Sequence, residues 1–425
     1  MKKVKLILTM VLVTGMVTVF LESCKKDAAA PSPLKLVSLK TGDGTPLDAV
    51  ASATGIATNS TVVATFDKEI DATTATANNI ALVLGGAPVA STITASGVTV
   101  TIVPSAVLAT GTNYTVSVAS TLKAKDGGPA TSTEFTFKTF GRANVVPPQS
   151  ASQLSYFPFT GNMNDAVGTH TPVAADVKNL TFVADRFGFA GLAGDFNGTT
   201  TIVEIPSGEQ YMANKDFSIS FWIKANSTKN GHFVLGLSAW KGFQFEISGD
   251  PWTSPDKWVK LAAQYDLGLV GNPPTAASDA EDTWWNGKPN GWQGSTFAKD
   301  VSTSGGVASY FQDKWAHVVC TYNSTSKVGS MYVNGDKTRS WDFNLWPSGD
   351  AKRGALGVKF AGNATGNKLA LGFIQGSLNR TISDSWADPA DPLNNHFKGV
   401  MDDVRIFKVA LTAAEVTTLY TAEKP

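Results

Sequence analysis

The chain has 425 residues, and its 35 Lys and Arg balance its 35 Asp and Glu, so the formal net charge is zero. This length exceeds one small domain and predicts two or three. The balanced charge gives no electrostatic footprint for nucleic acid, which argues against such a partner. Charged residues make up only 16% of the chain. Since small, β-branched and turn residues are abundant, the composition predicts an all-β protein.

The N-terminus has the pattern of a secretory signal. Basic residues within 1–5 precede an apolar run, 6–21, which is too short for a stable membrane-spanning helix. The position of Cys24 resembles bacterial lipoprotein signals, in which the Cys is lipidated and becomes the first mature residue. The segment departs from that pattern at Glu22, and an ordinary signal peptide with an incidental Cys is the alternative.

The residues after Cys24 also carry a resemblance. Lys25-Lys26-Asp27 is similar to the surface-export signal of lipoproteins in some Gram-negative bacteria that harvest polysaccharides. This implies an outer-membrane, lipid-anchored protein at the cell surface, with residues 1–24 as signal peptide and 25–34 as a short Pro-containing tether. No later apolar stretch is long enough to span a membrane, so we expect membrane contact through the lipid anchor only.

Short strands are predicted between residues 35 and 140. β-rich runs such as 97–103 and 134–137 are separated by turn signals such as Gly85-Gly86, which is typical of a sandwich. Their order resembles bacterial Ig-like domains of the surface-layer type, on residues 64–71, 104–114 and 135–139. The segment contains no Trp and no His, and we interpret it as a spacer.

A linker is predicted at residues 141–152, which contain Pro147-Pro148, before a second domain at 153–425. The second domain resembles laminin-G-like, concanavalin A-type antiparallel jelly rolls. The matching segments are, in order, 154–168, 194–206, 216–224, 315–336 and 397–408. A short C-terminal helix should start at Thr412, where Glu415 completes a capping box.

The jelly-roll resemblance implies a structural Ca²⁺, because relatives often hold one beside the convex sheet. Calcium prefers carboxylate, amide and carbonyl oxygens. The corresponding acidic positions are Asp165, Asp195 and Asp402, with Asn162 and Asn197 nearby. The alternative is that the first two Asp are turn residues and Asp402 is a surface carboxylate.

Tryptophan is confined to the second domain, which holds all 11. An insertion at about 248–305 is rich in Gly, Pro, Asn and Asp, so it is predicted to be loop-like. Aromatic rings in polar loops can stack on sugar rings, while Asn, Asp and Gln satisfy the hydroxyls; alternatively, the Trp form the insertion's own core. The candidate ligand-binding residues are Trp252, Trp258, Trp284, Trp285, Asn286, Trp292, Gln293, Trp341 and Trp346.

No catalytic residue is predicted. Glycanases of this fold carry a Glu-x-Asp-x-Glu strand, but in the nearest segment, 245–251, Ser248 replaces the middle acid and Asp250 the last. Glu246 is therefore interpreted as an outward-facing strand residue. Cys320 lies in an alternating strand pattern and is expected to be a small buried residue rather than a catalytic thiol.

The sequence therefore favours non-catalytic binding of a polysaccharide or glycoconjugate at the cell surface. The lipoprotein resemblance also implies an outer-membrane glycan-uptake complex as a partner. Two alternatives stay open: an adhesion or assembly protein that binds a protein, and a glycan hydrolase or lyase. Trp in a groove lined by Asn and Asp would favour glycan, and a flat apolar patch would favour protein. Two carboxyl groups facing a groove would favour hydrolysis.

Overall fold

The computed structural model describes residues 30–48, 52–227, 231–248, 258–289, 294–362, 367–377 and 380–425. These residues divide into two compact units. The first comprises 30–108 and Asn113–Thr139, and the second comprises Ala109–Thr112 and Phe140–Pro425. Cys24, Trp252, Trp292 and Gln293 lie outside the described residues.

The first unit consists of two sheets packed around an apolar core. Its strands are β1 Leu36–Thr41, β2 Ser52–Ile56, β3 Val62–Phe66, β4 Ile80–Leu84, β5 Ala87–Pro88, β6 Ser91–Ser96, β7 Thr99–Pro104, β8 Asn113–Val118 and β9 Thr133–Thr139. One sheet has the order β1-β3-β7-β6 and the other β2-β9-β8-β4-β5. Alternate residues point into the core, as in β7, where Val100 and Ile102 are fully buried. The predicted sandwich is confirmed.

The second unit is a larger sandwich. Its strands are β10 Gln153–Phe157, β11 Val177–Lys178, β12 Thr181–Val183, β13 Ala193–Asn197, β14 Ile202–Ile205, β15 Phe217–Ala225, β16 His232–Leu237, β17 Phe243–Ile247, β18 Val259–Val270, β19 Thr275–Trp285, β20 Ser295–Ala298, β21 Trp315–Asn323, β22 Val328–Val333, β23 Asp336–Asp342, β24 Gly357–Val358, β25 Leu369–Leu371 and β26 Lys398–Phe407. Its helices are α1 Ala308–Phe311 and α2 Ala413–Glu423.

Two antiparallel sheets enclose the core of the second unit. The nine-stranded sheet has the order β12-β13-β26-β15-β21-β22-β23-β20, with β10 beside β26. The eight-stranded sheet has the order β11-β14-β25-β16-β17-β18-β19, with β24 beside β18. Phe217 and Phe221 of β15 pack against Phe243 and Phe245 of β17, with ring centroids 4.9 and 5.1 Å apart, so the two sheets share one core. These sheets and the C-terminal helix confirm the all-β prediction.

Two predicted boundaries change. The insertion was expected to be loop-like, but residues 259–285 form the long hairpin β18–β19, so that expectation is wrong there. Residues Asn272-Pro273-Pro274 lie at the tip of this hairpin, whose strands pair from Val259↔Trp285 to Val270↔Thr275. The predicted linker, residues 141–152, belongs to the second unit.

A buried ionic cluster lies on the outer face of the nine-stranded sheet. Asp403 has a φ of +45°, at a register shift between β15 and β26. Such a bulge places two consecutive residues on one face, and here Asp402 and Asp403 both point away from the core. Arg186 donates to Asp402 at 2.7 Å and to Asp403 at 2.6 Å. Arg142 bonds the same two carboxylates.

The C-terminal helix is joined to this cluster. Glu423 of α2 accepts from Arg405 at 2.9 Å and from the Trp222 indole at 2.8 Å. The helix begins with the predicted capping box, in which Thr412 and Glu415 bond each other's backbone N–H groups. Burial opposes ionisation of Asp403, but the surrounding guanidinium groups hold its pKa below the ordinary range.

No helix in the described part of the chain is long and apolar enough to cross a membrane.

Replacing Arg186 with Met should lower the free energy of unfolding by about 3–5 kcal/mol, because it leaves two buried carboxylates short of a counter-charge. Denaturant unfolding followed by Trp fluorescence measures this, since every Trp lies in the second unit. Lys299→Met is the matched control, because the Lys299–Asp336 ion pair is partly exposed to solvent, unlike the buried cluster. A loss in Arg186→Met no larger than in this control would contradict the importance of the cluster.

Stability should also fall in mild acid. Burial lowers the pKa of His317 to about 3, whereas an unfolded His titrates near 6.5. The unfolded state then binds more protons below pH 6.5, so the free energy of unfolding decreases as the pH falls, by up to about 1.4 kcal/mol per pH unit. His317→Gln should reduce this slope between about pH 6 and 4.5. Tyr420→Leu, which removes a ring stacked on His317, should keep the wild-type slope.

Candidate functional site

A groove lies on the outer face of the eight-stranded sheet. Phe245 of β17 and Leu261 of β18 point into the core, so their neighbours Glu246 and Lys260 point outward. The strand register places Glu246 opposite Lys260, and Lys260 opposite Trp284 of β19. A row of an acid, a base and an indole therefore crosses three adjacent strands.

The groove has a volume of about 470 Å³. Ligand sites commonly occupy roughly 300–1,000 Å³, so it is large enough for a sugar chain segment. Its lining combines two indoles with polar side chains: Trp258, Lys260, Asp282, Trp284 and Asn286. Both Trp are half-buried, with part of each ring accessible. The structure thus brings together three of the predicted ligand-binding residues, Trp258, Trp284 and Asn286.

Lys260 organises the charges in this groove. Its ammonium lies 3.3 Å from a carboxylate oxygen of Glu246 and 3.3 Å from one of Asp282. The same ammonium lies 5.5 Å from the ring centroid of Trp240 and 5.7 Å from that of Trp258, within range of cation–π attraction. One cation therefore holds two acids and two aromatic rings in place.

Glu246 is a buried acid. Burial raises its pKa, against the opposing effect of Lys260. Gln244 donates a further hydrogen bond to this carboxylate. Since Lys260 contacts both Glu246 and Asp282, the ammonium lies between the two carboxyl groups, where a glycosidase would need the scissile bond.

Trp240 was not predicted as a site residue. It belongs to the connection between β16 and β17, where Ser238 and Ala239 have φ of +53° and +50°. A left-handed backbone at a residue other than Gly costs on the order of 1–3 kcal/mol and is concentrated at functional sites. In the sequence, Trp240 is marked only by its place beside Lys241 in a short turn. The contact between Trp240 and Lys260 arises from the pairing of β17 with β18, which the sequence pattern did not reveal.

Three predicted ligand-binding residues belong to the core instead, and the prediction is wrong for them. Trp285, Trp341 and Trp346 are 0%, 1% and 3% exposed. Trp285 is the neighbour of Trp284 on a strand, so its ring points to the opposite face, and its indole N–H donates to the Lys299 carbonyl at 2.8 Å. The alternative interpretation, in which Trp fills the interior, is correct for these residues.

The predicted calcium ligands are not brought together. Among the described residues, no group of three or more His, Cys, Asp and Glu could hold a metal ion. Each oxygen of Asp402 accepts from a guanidinium, Arg142 at 2.9 Å and Arg186 at 2.7 Å. Since cationic groups already contact both oxygens, Asp402 does not fit a calcium site.

Three of the four other predicted metal ligands accept hydrogen bonds from backbone N–H groups in turns or loops. Asp165 accepts from the backbone N–H of Tyr156 at 2.9 Å and of Gly168 at 3.0 Å. Asn162 and Asn197 each accept from a backbone N–H two residues later in the chain, at 2.9 Å. Asp195 lies on β13, opposite Val400. The five residues thus do not form one calcium site.

Two candidate nucleophiles of the second unit, Ser155 and Cys320, lack catalytic geometry. Ser155 Oγ lies 3.0 Å from His170 Nδ1, and Asp165 lies 3.5 Å from the same nitrogen. A hydrolytic triad uses the two opposite nitrogens of the ring, so this arrangement does not activate the Ser. Cys320 is buried as predicted, and burial raises the pKa of its thiol.

Residues 45–139 match the family of bacterial Ig-like domains. This match confirms the Ig-like prediction for the first unit. No curated protein matches the chain at a significant level.

Solved structures show similarity at low identity. Domain 4 of AbnA, a GH43 extracellular arabinanase from Geobacillus stearothermophilus in complex with arabinotriose, is 17% identical over 63% of this chain and 98% of its own, with a TM-score of 0.34. The binding domain of botulinum neurotoxin serotype D is 12% identical over 64% and 52% of the two chains, with a TM-score of 0.37. The type G receptor binding domain is 14% identical over 64% and 51%, with a TM-score of 0.35. The chain spans about half the length of these neurotoxin domains, and TM-scores this low do not establish a shared fold.

Replacing Lys260 with Met should increase the dependence of stability on pH that Glu246 causes. Without the ammonium, burial and Asp282 raise the pKa of Glu246 further above its unfolded value of 4.5. A raised carboxyl pKa favours folding below the unfolded pKa, and this advantage is lost as the pH rises through the folded pKa. At about pH 8 the variant should be about 1–3 kcal/mol less stable than wild type, with a smaller difference at about pH 4.5.

Urea unfolding across this pH range measures the effect. The double variant Glu246→Gln/Lys260→Met is the control, because it lacks the Glu246 carboxyl, so its stability should depend less on pH over this range than that of Lys260→Met. Equal pH dependence in wild type and Lys260→Met would show that Lys260 does not govern Glu246.

Proposed function

We propose that this protein binds a polysaccharide or glycoconjugate without cleaving it, through the groove on the eight-stranded sheet. The observation that carries the proposal is the lining itself, in which the indoles of Trp258 and Trp284 lie beside Lys260, Asp282 and Asn286. An indole plane packs against the apolar C–H face of a sugar ring. The carboxylate, amide and ammonium groups can exchange hydrogen bonds with its hydroxyls.

The composition of the lining favours a glycan over a folded protein. A protein-binding surface typically has an apolar, desolvated centre with a polar rim. Here Lys260 and Asp282, which contact each other, line the groove together with Trp258 and Trp284. A ligand that packs on these two indoles must therefore also form hydrogen bonds with the charged side chains beside them. A chain rich in hydroxyl groups can do both.

Hydrolysis is the second candidate, because Glu246 and Asp282 both contact Lys260 and burial raises the pKa of Glu246. A general acid with a raised pKa and a second carboxylate are the groups that glycoside hydrolysis requires. However, the Lys260 ammonium lies between these two groups, in contact with both. This placement supports binding as the better proposal.

The predicted lipid anchor fits this function. A lipidated Cys24 would hold the binding unit at the outer membrane, with the Ig-like unit as a spacer on the surface. We propose an outer-membrane glycan-uptake complex as the setting, because capture at the surface would raise the local concentration of a polysaccharide for other components.

Affinity electrophoresis of residues 25–425 tests the proposal. Gels should contain xyloglucan, galactomannan, mixed-linkage β-glucan, arabinan, polygalacturonate or alginate. Wild type should be retarded by one or a few of these polymers. Trp258→Ala/Trp284→Ala should bind at least about tenfold more weakly, a loss of about 1.4 kcal/mol, because both stacking planes are removed.

Trp315→Ala is the matched control, because Trp315 is a half-buried indole on the nine-stranded sheet. It should bind as wild type does. Retardation by none of the polymers would reject glycan binding and favour a protein partner. Release of reducing ends from a retarding polymer, lost in Glu246→Gln, would establish hydrolysis instead.

A further inference from the structure

We infer that the binding site extends beyond the groove to Trp240 and Trp386, and that its ligand is an extended chain of neutral sugars. This inference rests on the proposed function and specifies its ligand class. Neither indole is among the residues that line the groove itself. Their placement, the charges around Lys260 and the rigid loops that carry them each support the extension.

Trp240 links the groove to Trp386. Trp258 and Trp240 approach the Lys260 ammonium at 5.7 and 5.5 Å. The ring centroids of Trp240 and Trp386 are 6.0 Å apart, with an angle of 57° between their planes. Aromatic rings therefore continue from Lys260 in the groove to Trp240 and on to Trp386.

Trp386 is presented for contact with a ligand. Its side chain is 41% exposed, while its ring packs on Phe233 with the centroids 6.1 Å apart. Its free ring area is available to pack on a sugar.

The loop that carries Trp386 is fixed before any ligand binds. The buried amide of Gln375 donates to the Ala387 carbonyl at 2.7 Å and to the Ile382 carbonyl at 2.8 Å. Asn394 donates to the Ser385 carbonyl at 2.7 Å. Hydrogen bonds on both sides of Trp386 thus preorganise it, which lowers the entropic cost of binding.

Trp240 is fixed in a similar way. The backbone N–H of Ala239 donates to the Ile374 carbonyl at 3.0 Å, and the Thr381 hydroxyl donates to the Ser238 carbonyl at 2.6 Å. The same loop region therefore supports both indoles. Their spacing is set by the fold and does not depend on the ligand.

The charges indicate a neutral ligand. Lys260 is the one cation among the residues lining the groove in the described part of the chain, and two carboxylates already contact it. A uronic acid would bring a third carboxylate to an ammonium that is already neutralised, next to the half-exposed Asp282. Like-charge contact would disfavour it. Neutral hydroxyls meet no such repulsion.

Binding of size-graded fragments tests the extension. The neutral polymer that retards wild type is partly hydrolysed, its fragments are separated by length, and their dissociation constants are measured by calorimetry. Trp386→Ala should weaken binding of long fragments roughly tenfold, as loss of one stacking plane predicts. It should leave the shortest binding fragments unaffected, because these fill the Trp258–Trp284 groove. Trp240→Ala should show the same dependence on length.

Trp386→Phe should recover most of the affinity for long fragments, since it keeps an aromatic plane, and Trp315→Ala should change nothing. Unchanged long-fragment binding in Trp386→Ala, or equal loss at all lengths, would overturn the extension. Tighter binding of polygalacturonate or alginate than of every neutral polymer would overturn the neutral ligand. In either case retardation of wild type still supports glycan binding, whereas no retardation rejects the proposed function and this inference together.

Discussion

The second unit depends on the buried charges between its nine-stranded sheet and its C-terminal helix. Arg142 comes from the start of the unit, Arg186 from a loop, Asp402 and Asp403 from a central strand, and Glu423 from the end of the chain. A buried charge without a partner is strongly destabilising, so each group requires the others in place. Distant parts of the chain are thereby joined at one point, and α2 is held against the outer face of this sheet.

The opposite face of the sandwich uses similar physical chemistry for a different result. On the eight-stranded sheet, Lys260 also contacts two carboxylates, but one of them, Asp282, is half exposed and the surrounding rings are accessible. Charges sealed beneath a helix contribute rigidity. Charges at the floor of a groove would additionally leave hydrogen-bonding capacity for the proposed ligand.

The sequence correctly predicted the features that depend on residues close together in the chain. Period-2 strands and the capping box at Thr412 require only neighbouring residues. The ionic cluster could not be predicted, because Arg142 and Asp402 are 260 positions apart. The calcium assignment failed for the same reason, since Asp402 looked available until Arg142 and Arg186 were placed beside it.

The adjacent residues Trp284 and Trp285 show which part of the site the local sequence pattern could have predicted. Interpreted as a loop, the segment allowed both indoles to face a ligand; on a strand, consecutive side chains point to opposite faces. One of the two therefore had to enter the core, and the pairing of Trp285 with the buried Val259 decides which. The Trp residues in this region thus have two structural positions, because some are buried in the core and others line the groove. One set of rings fills the sandwich and fixes the β18–β19 hairpin, and the rigid hairpin in turn holds Trp284 and Lys260 at the groove.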